Sequence, residues 1–452
     1  MKTLFRVTIA VILTLTLTLT ACTTAQTGGT FGGGNAPATT AAQLARQLNA
    51  MHEGSARVSG DTVTLTRNIP IQRNLTVPEG VTLDLTGDWG LWIHDMTLTV
   101  NGTVNARGGG DHGNGWEDGG LNINDGATVI NGNGTINLTS KGNLFNIWGG
   151  NGRKLTLDGV TLVGVPDNDE SLLNVNNGGE LVMVSGTITG NTRTNGNGGG
   201  VAVWRGTFTM SGGAITGNTS TSDIWVEGGG VSIGEASVFT MSGGKISGNN
   251  ALSGGGIHVG EGSTFIMSGG TISNNTADQG GGGGVRTRDE GTTFTMSGGM
   301  ISGNSCVDGA GGVQADRGSV FTMLDGEISG NSGSQAGGVI GTTFIMEGGI
   351  IFGNTATDSN SGGGVLAPGG TTFTMKGGRI QGNTASDGFA ANTARSGSAA
   401  LRATGLGLPT IAKWGTGGTY TKGGVNQTGG SDIVPGTGFR GTNDTLIAIP
   451  AR

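Results

Sequence analysis

Hydrophobic and polar positions in the second half of the chain follow one recurring phrase. A hydrophobic residue, a variable residue and Met are followed by a Gly-containing turn and then by Ile-x-x-Asn. The Met positions are Met183, Met210, Met241, Met267, Met296, Met323, Met346 and Met375, at intervals of 23 to 31 residues. Five residues after each Met stands an Ile, from Ile188 to Ile380, and three further on an Asn, from Asn191 to Asn383. Every Met but the first is preceded by a Gly-rich lead-in and a β-branched residue, such as Val231 or Ile257.

Each unit predicts three short strands, such as GVSI, VFTM and GKIS, separated by Gly turns. Side chains alternate along a strand, so Phe239 and Met241 share one face while Val238 and Thr240 share the other. No single unit can bury that apolar set. Stacking unit on unit does so, with Phe over Phe, Met over Met and Ile over Ile. The intervals leave no room for a helix between strands, which excludes a βαβ sheet and a leucine-rich-repeat horseshoe with long helices. The predicted fold is all-β, a parallel β-helix solenoid of about 12 coils, spaced about 4.8 Å apart.

The organisation along the chain follows from the same pattern. Residues 61–180 use the strand grammar loosely, as irregular coils, and 181–387 hold the regular repeats. The phrase is lost over 388–452, which reads as a degenerate final coil and C-terminal cap. AAQLARQLNAM (41–51) places Leu44, Leu48 and Met51 on one helical face, with Thr39 or Thr40 as its cap. Residues 41–60 therefore read as an N-terminal cap that covers the first coil.

The recurring residues have structural roles that need no ligand. Asn tolerates the left-handed turn conformation, and stacked amides can donate to and accept from one another as a ladder. The Met column reads as adaptable core filling. The Gly runs precede strands, whereas a phosphate-cradling loop must open a helix.

Composition agrees with this picture. Gly supplies 97 of 452 residues and Pro only 8. Scarce Pro and the absence of a three-residue period exclude collagen. A net charge of −7 spread over this length excludes charge-driven disorder. A length-based prior of roughly three domains gives way, because a solenoid grows in one dimension.

The first 21 residues read as a signal peptide. Lys2 and Arg6 form a positive start, and Val7 to Leu19 form an apolar stretch too short to span a bilayer. Leu19-Thr20-Ala21-Cys22 resembles the bacterial lipoprotein lipobox. That resemblance implies lipid attachment at Cys22, anchoring to the bacterial outer membrane, and a chain that starts at Cys22. Residues 22–40 then form a flexible Gly/Thr/Ala tether. Without the signal the chain carries 22 basic and 31 acidic side chains, a formal charge of −9. Nothing basic clusters, so no nucleic-acid partner is expected. With Cys22 lipidated, Cys306 has no partner in the chain, and it reads as a small loop residue.

The repeats resemble right-handed parallel β-helix proteins of the pectin-lyase-like superfamily. SGGAITGN (211–218) and its copies also resemble the repeats of polymorphic outer-membrane proteins. Here Ile stands where that signature has the Phe of Phe-x-x-Asn. Pectate lyases carry Trp-Ile-Asp-His, whereas this chain has Trp92-Ile93-His94-Asp95, an order that exchanges strand faces. Neither the lyases' Arg-rich segment nor the polygalacturonase Asp-Asp and Gly-His-Gly phrases are found. Carboxylate pairs for glycoside hydrolysis are offered by Asp111 with Glu117 and Asp118, Asp167 with Asp169 and Glu170, and Asp223 with Glu227. The 108–120 loop is rich in oxygen ligands but lacks a Ca²⁺-site spacing. No cofactor is expected.

The leading functional reading is an envelope-anchored interaction or adhesion protein at the cell surface, with a host, matrix or polysaccharide partner. The alternative is a carbohydrate-active enzyme, a lyase or glycoside hydrolase. It draws on six Trp between 89 and 225, as sugar-stacking platforms. Ice or crystal binding by Thr-x-Thr ranks is a third, interrupted by Val238, Ile266, Val320 and Ile345. Partner contact is expected at the linkers between each Asn and the next Gly-rich lead-in, because solenoid insertions collect on one face. The longest linker holds Asp223, Trp225 and Glu227, which we single out as contact residues, in a row with Arg193, Asp278, Asp308 and Asp358.

Overall fold

The structure is a computed structural model that describes residues 36–109, 120–222, 226–368, 372–381, 390–398, 401–404, 410–412, 419–421, 438–442 and 445–449. It is an all-β parallel solenoid of about 11 turns with one short helix near its start. The sequence pattern suggested about one turn more. At the N-terminal end Ala56–Ser59, within the segment read as the cap, pairs antiparallel with Thr62–Leu65.

A regular coil passes through four strand positions, not three. In one coil these are Val201–Trp204, Thr207–Met210, Ala214–Thr216 and Thr219–Ser220. Each pairs parallel and in register with its counterpart in the next coil. The fourth strand follows the repeat's Asn and holds two residues, too few for alternation to be visible in the sequence.

Register stacks like on like. Phe208, Phe239, Phe265, Phe294, Phe321, Phe344 and Phe373 form a continuous column, with ring centroids 4.5 to 5.2 Å apart. All seven are buried, with the Met and Ile columns beside them. Thr240 and Val238 face outward, as alternation requires. Separations near 4.8 Å are set by strand spacing, so the rings stack because the backbones do.

The Met column explains the paired glycines of the turn. Gly270 has φ +83, and a Cβ there would lie 2.6 Å from Cε of Met241 in the preceding coil. The same contact joins Gly244 to Met210 and Gly299 to Met267. The position needs Gly both for its left-handed backbone and for the methyl group that occupies its side-chain space.

The Asn residues form a one-directional ladder. Asn249 donates from its side-chain amide to the carbonyl of Ile215 in the preceding coil and to Oδ1 of Asn275 in the next. Its backbone N–H donates to the same Oδ1. The pattern repeats through Asn275, Asn304, Asn331 and Asn354. After Asn354 the acceptor is Asn392, bonded at 2.9 Å by the backbone and 3.1 Å by the side chain. Asn383, the position predicted by spacing, lies outside the described residues. The ladder selects its next rung by place in the stack and not by distance along the chain.

Helix Ala41–Met51 covers the first coil, with Leu44 and Leu48 buried and Met51 packed against the core. Thr40 is its N-cap and accepts from the backbone N–H of Gln43. Gln43 in turn accepts from the backbone N–H and hydroxyl of Thr39 at 2.7 Å. Both threonines thus take part in a capping-box-like exchange. At the far end Thr410–Ala412 pairs parallel with the preceding coil but antiparallel with Thr419–Thr421, which ends the parallel stacking there.

Candidate functional site

The outer face of the strand that opens each coil is not bare. In these strands the first and third residues point into the core, as Val231 and Ile233 do, while the second points outward yet is buried: Asn174, Ala202, Ser232 and His258. The linkers after the two-residue strands lie back over this face. Single bridges hold them to one another, at Asn168–Arg193, Glu227–Ser253, Ala310–Ala336 and Ala336–Gly362. A thin second compartment results. Toward the C-terminal end it is apolar, formed by Ala310, Ala336, Ile340 and Leu366. Toward the N-terminal end it is ionic.

Glu227 is the hub of the ionic part. It is 8% exposed. Oε2 lies 3.0 Å from Nε2 of His258, and Oε1 lies 3.4 Å from Arg286 and 3.2 Å from Arg288. Arg286 also pairs with Asp316 at 3.2 Å and donates to the hydroxyl of Ser253. Burial opposes charge on Glu227, but contact with His258 and the charges of His258, Arg286 and Arg288 outweigh it and lower its pKa to about 2. The shift favours the ionised carboxylate, which suits an ion-pair hub and not a general acid.

Ser232, His258 and Glu227 stand in the order of a Ser–His–acid triad, with Ser232 Oγ 3.4 Å from Nδ1 of His258. Hydrolysis needs an accessible nucleophile. Ser232 has no exposed surface, and the carboxylate that would orient the imidazole is shared with two guanidinium groups. The arrangement works as a polar clamp between linker and strand.

A second ionic group lies toward the N-terminus. Arg193 pairs with Glu170 at 3.4 Å and donates to Ser171 and the Asn197 carbonyl at 2.7 Å each. Burial lowers the pKa of Arg193, while Glu170 and Asp169 counter this. Asp167 instead pairs with Lys141 near the surface. The Asp167, Asp169 and Glu170 set is thus divided among cations.

Cys22, Asp223, Trp225, Asp111, Glu117 and Asp118 lie outside the described residues. Glu227, paired with Asp223 and Trp225 in the sequence reading, is a buried member of the clamp. Asp95 adopts φ 50 and accepts from the backbone N–H of Ala127 at 2.6 Å, a turn role. Cys306 belongs to a two-residue strand and is buried and free; burial pushes its thiol pKa up to about 12. Among the described residues no group of three His, Cys, Asp or Glu side chains is placed to hold a metal ion. None of their helices is long and apolar enough to cross a membrane.

Sequence reasoning did not find His258, Arg286, Arg288 or Asp316. A signal existed. Aligning the Gly-rich lead-ins gives Ser232, His258, Arg286 and Gln314 at the residue after the β-branched one, a polar column beside glycines. Without the linkers laid over it, such a column reads as ordinary solvated surface.

No protein-family model matches the chain, and no curated protein or solved structure shows significant similarity to it.

Proposed function

We propose that this protein is a lipid-anchored, pectin-lyase-like β-helix of the bacterial outer membrane, attached through Cys22. In this reading it acts at the cell surface as an interaction or adhesion protein for a host, matrix or polysaccharide partner. The observation that carries the proposal is the contrast between scaffold and edge. Strand register and the Asn ladder repeat from coil to coil. The linkers, by contrast, change length and chemistry: TRTNGN after Asn191, NALS after Asn249, SGSQA after Asn331. A rigid scaffold with a variable edge is the usual design of a recognition surface.

The alternative, a carbohydrate-active enzyme, has less to draw on. Glu170 and Glu227 are both committed to arginines. The test is a panel of polysaccharides and extracellular-matrix proteins probed with the full chain, each polysaccharide also assayed for new reducing or unsaturated ends. Binding without new ends is the expected result. Appearance of new ends would transfer the protein to the enzyme reading.

A further inference from the structure

On the same outward face as the clamp, nearer the N-terminus, the row two residues further along these strands carries aromatic side chains. The last positions of Phe145–Trp148, Leu173–Asn176, Val201–Trp204 and Val231–Gly234 align in register. Trp148 stands beside Asn176, Asn176 beside Trp204, and Trp204 beside Gly234. The two Trp positions are therefore two coils apart, about 9.6 Å along the stack, with an amide side chain between them.

Trp204 and Asn176 are held in place, and Trp148 is open to solvent. Trp148 is 39% exposed. Trp204 is half-buried, because its ring lies over the next coil: a Cβ on Gly234 would meet its Cζ3 at 2.1 Å and Cε3 at 2.6 Å. Gly234 is thus the seat of the indole, which explains why this strand ends in Gly. Asn176 donates to Oδ1 of Asn146 at 3.1 Å, which orients its amide. Arg205 and Glu235, which follow Trp204 and Gly234 in the chain, neutralise one another at 2.6 Å.

We propose that Trp148, Asn176 and Trp204 form a binding strip for a neutral, β-linked polysaccharide chain lying along the axis of the stack. The inference rests on the interaction reading above and narrows its partner to one chemical class. A pyranose with equatorial substituents presents a flat C–H face, which stacks on an indole, and hydroxyl edges that a planar amide both donates to and accepts from. In an extended β-1,4-linked chain alternate sugars return to a similar orientation. Two platforms carried on backbone positions two coils apart, with the Trp204 ring set over the next coil, can therefore engage separate sugars of one chain, and a rigid sheet holds them in place before binding.

The test uses the full chain in affinity electrophoresis and tryptophan-fluorescence titration. The probes are hydroxyethyl cellulose, β-1,4-xylan and β-1,4-mannan, with amylose and polygalacturonate as controls. We expect binding to at least one β-linked probe, weakened about tenfold or more by Trp148→Ala and by Trp204→Ala, with the cooperative unfolding transition retained in both variants. Gly234→Ala, which removes no ligand contact but displaces the Trp204 ring, should weaken binding likewise. Trp204→Tyr should recover part of it. If the parent binds a β-linked probe and these variants bind as tightly, the strip is wrong while the interaction reading stands. If the parent binds an immobilised matrix protein but no polysaccharide, the ligand class is wrong and the interaction reading again stands. Binding to neither overturns both.

Discussion

Asn275 is bonded twice to one atom of Asn304: its backbone N–H reaches Oδ1 at 3.0 Å and its side-chain amide reaches the same oxygen at 2.9 Å. Both residues are buried, so each coil's amide completes the hydrogen bonding of the coil before it. The ladder ties the turn after the Ile strand to its neighbours where no regular strand pairing is available.

Removing one rung should therefore leave partners unsatisfied on both sides. Asn275→Ala strands the Ile246 carbonyl, which Asn275 serves at 3.0 Å, and the backbone N–H of Asn249, which donates to Asn275 Oδ1. A loss of about 2–4 kcal/mol is expected from buried groups left unpaired. Asn275→Asp should be worse above pH 5, since a carboxylate cannot donate to Asn304 Oδ1. Urea unfolding at two pH values checks both.

Core parity can be tested across a single strand pair. Phe265→Ala opens a cavity between Phe239 and Phe294 and should cost about 3–5 kcal/mol. Thr240→Ala, on the outward face, should stay within about 0.5 kcal/mol. Denaturant midpoints decide, and equal losses would contradict the alternation.

The Gly–Met contact predicts an unusual sensitivity to one methyl group. Gly270→Ala combines a φ of +83 with a Cβ placed 2.6 Å from Met241 Cε, and should cost about 1–3 kcal/mol. Pairing it with Met241→Ala should relieve the steric part but not the backbone part. A double-mutant cycle on thermal unfolding separates the two.

The clamp should make stability depend on pH in the acid range. The folded pKa of Glu227 is lowered to about 2 from an ordinary 4.5. Its contribution is thus fully present above pH 4.5 and is lost as pH falls from there toward 2. The size is about 3 kcal/mol. Glu227→Gln should flatten that part of the stability profile and leave Arg286 and Arg288 without their shared partner. An acid limb identical to that of the parent would show that the carboxylate is not held as described.

Lipid attachment is tested apart from the fold. Cys22→Ser should leave an unprocessed precursor and abolish metabolic labelling with palmitate. Persistent labelling would remove Cys22 as the anchor.

Much of the architecture was already written in the order of residues. Phe239-Thr240-Met241 sets which side chains enter the core, because strand alternation has a period of two and admits no intermediate. The fixed offsets from Met241 to Ile246 and Asn249 set the stacking, because a parallel register aligns identical positions. Leu44 and Leu48 marked the capping helix through their spacing. Tertiary structure decided matters that depend on which coil lies beside which. Asn392 takes the rung after Asn354 because it occupies that place in the stack, although a fixed offset points to Asn383. Glu227 meets Arg286 and Arg288 across 59 and 61 residues, two coils away. The backbone at Glu227, bridged to Ser253, lies against the neighbouring coil and turns what reads as an exposed edge carboxylate into a buried ion-pair hub. Local pattern fixes the face a side chain takes within its own coil; what covers that face is set by backbone many residues distant, which no local period encodes.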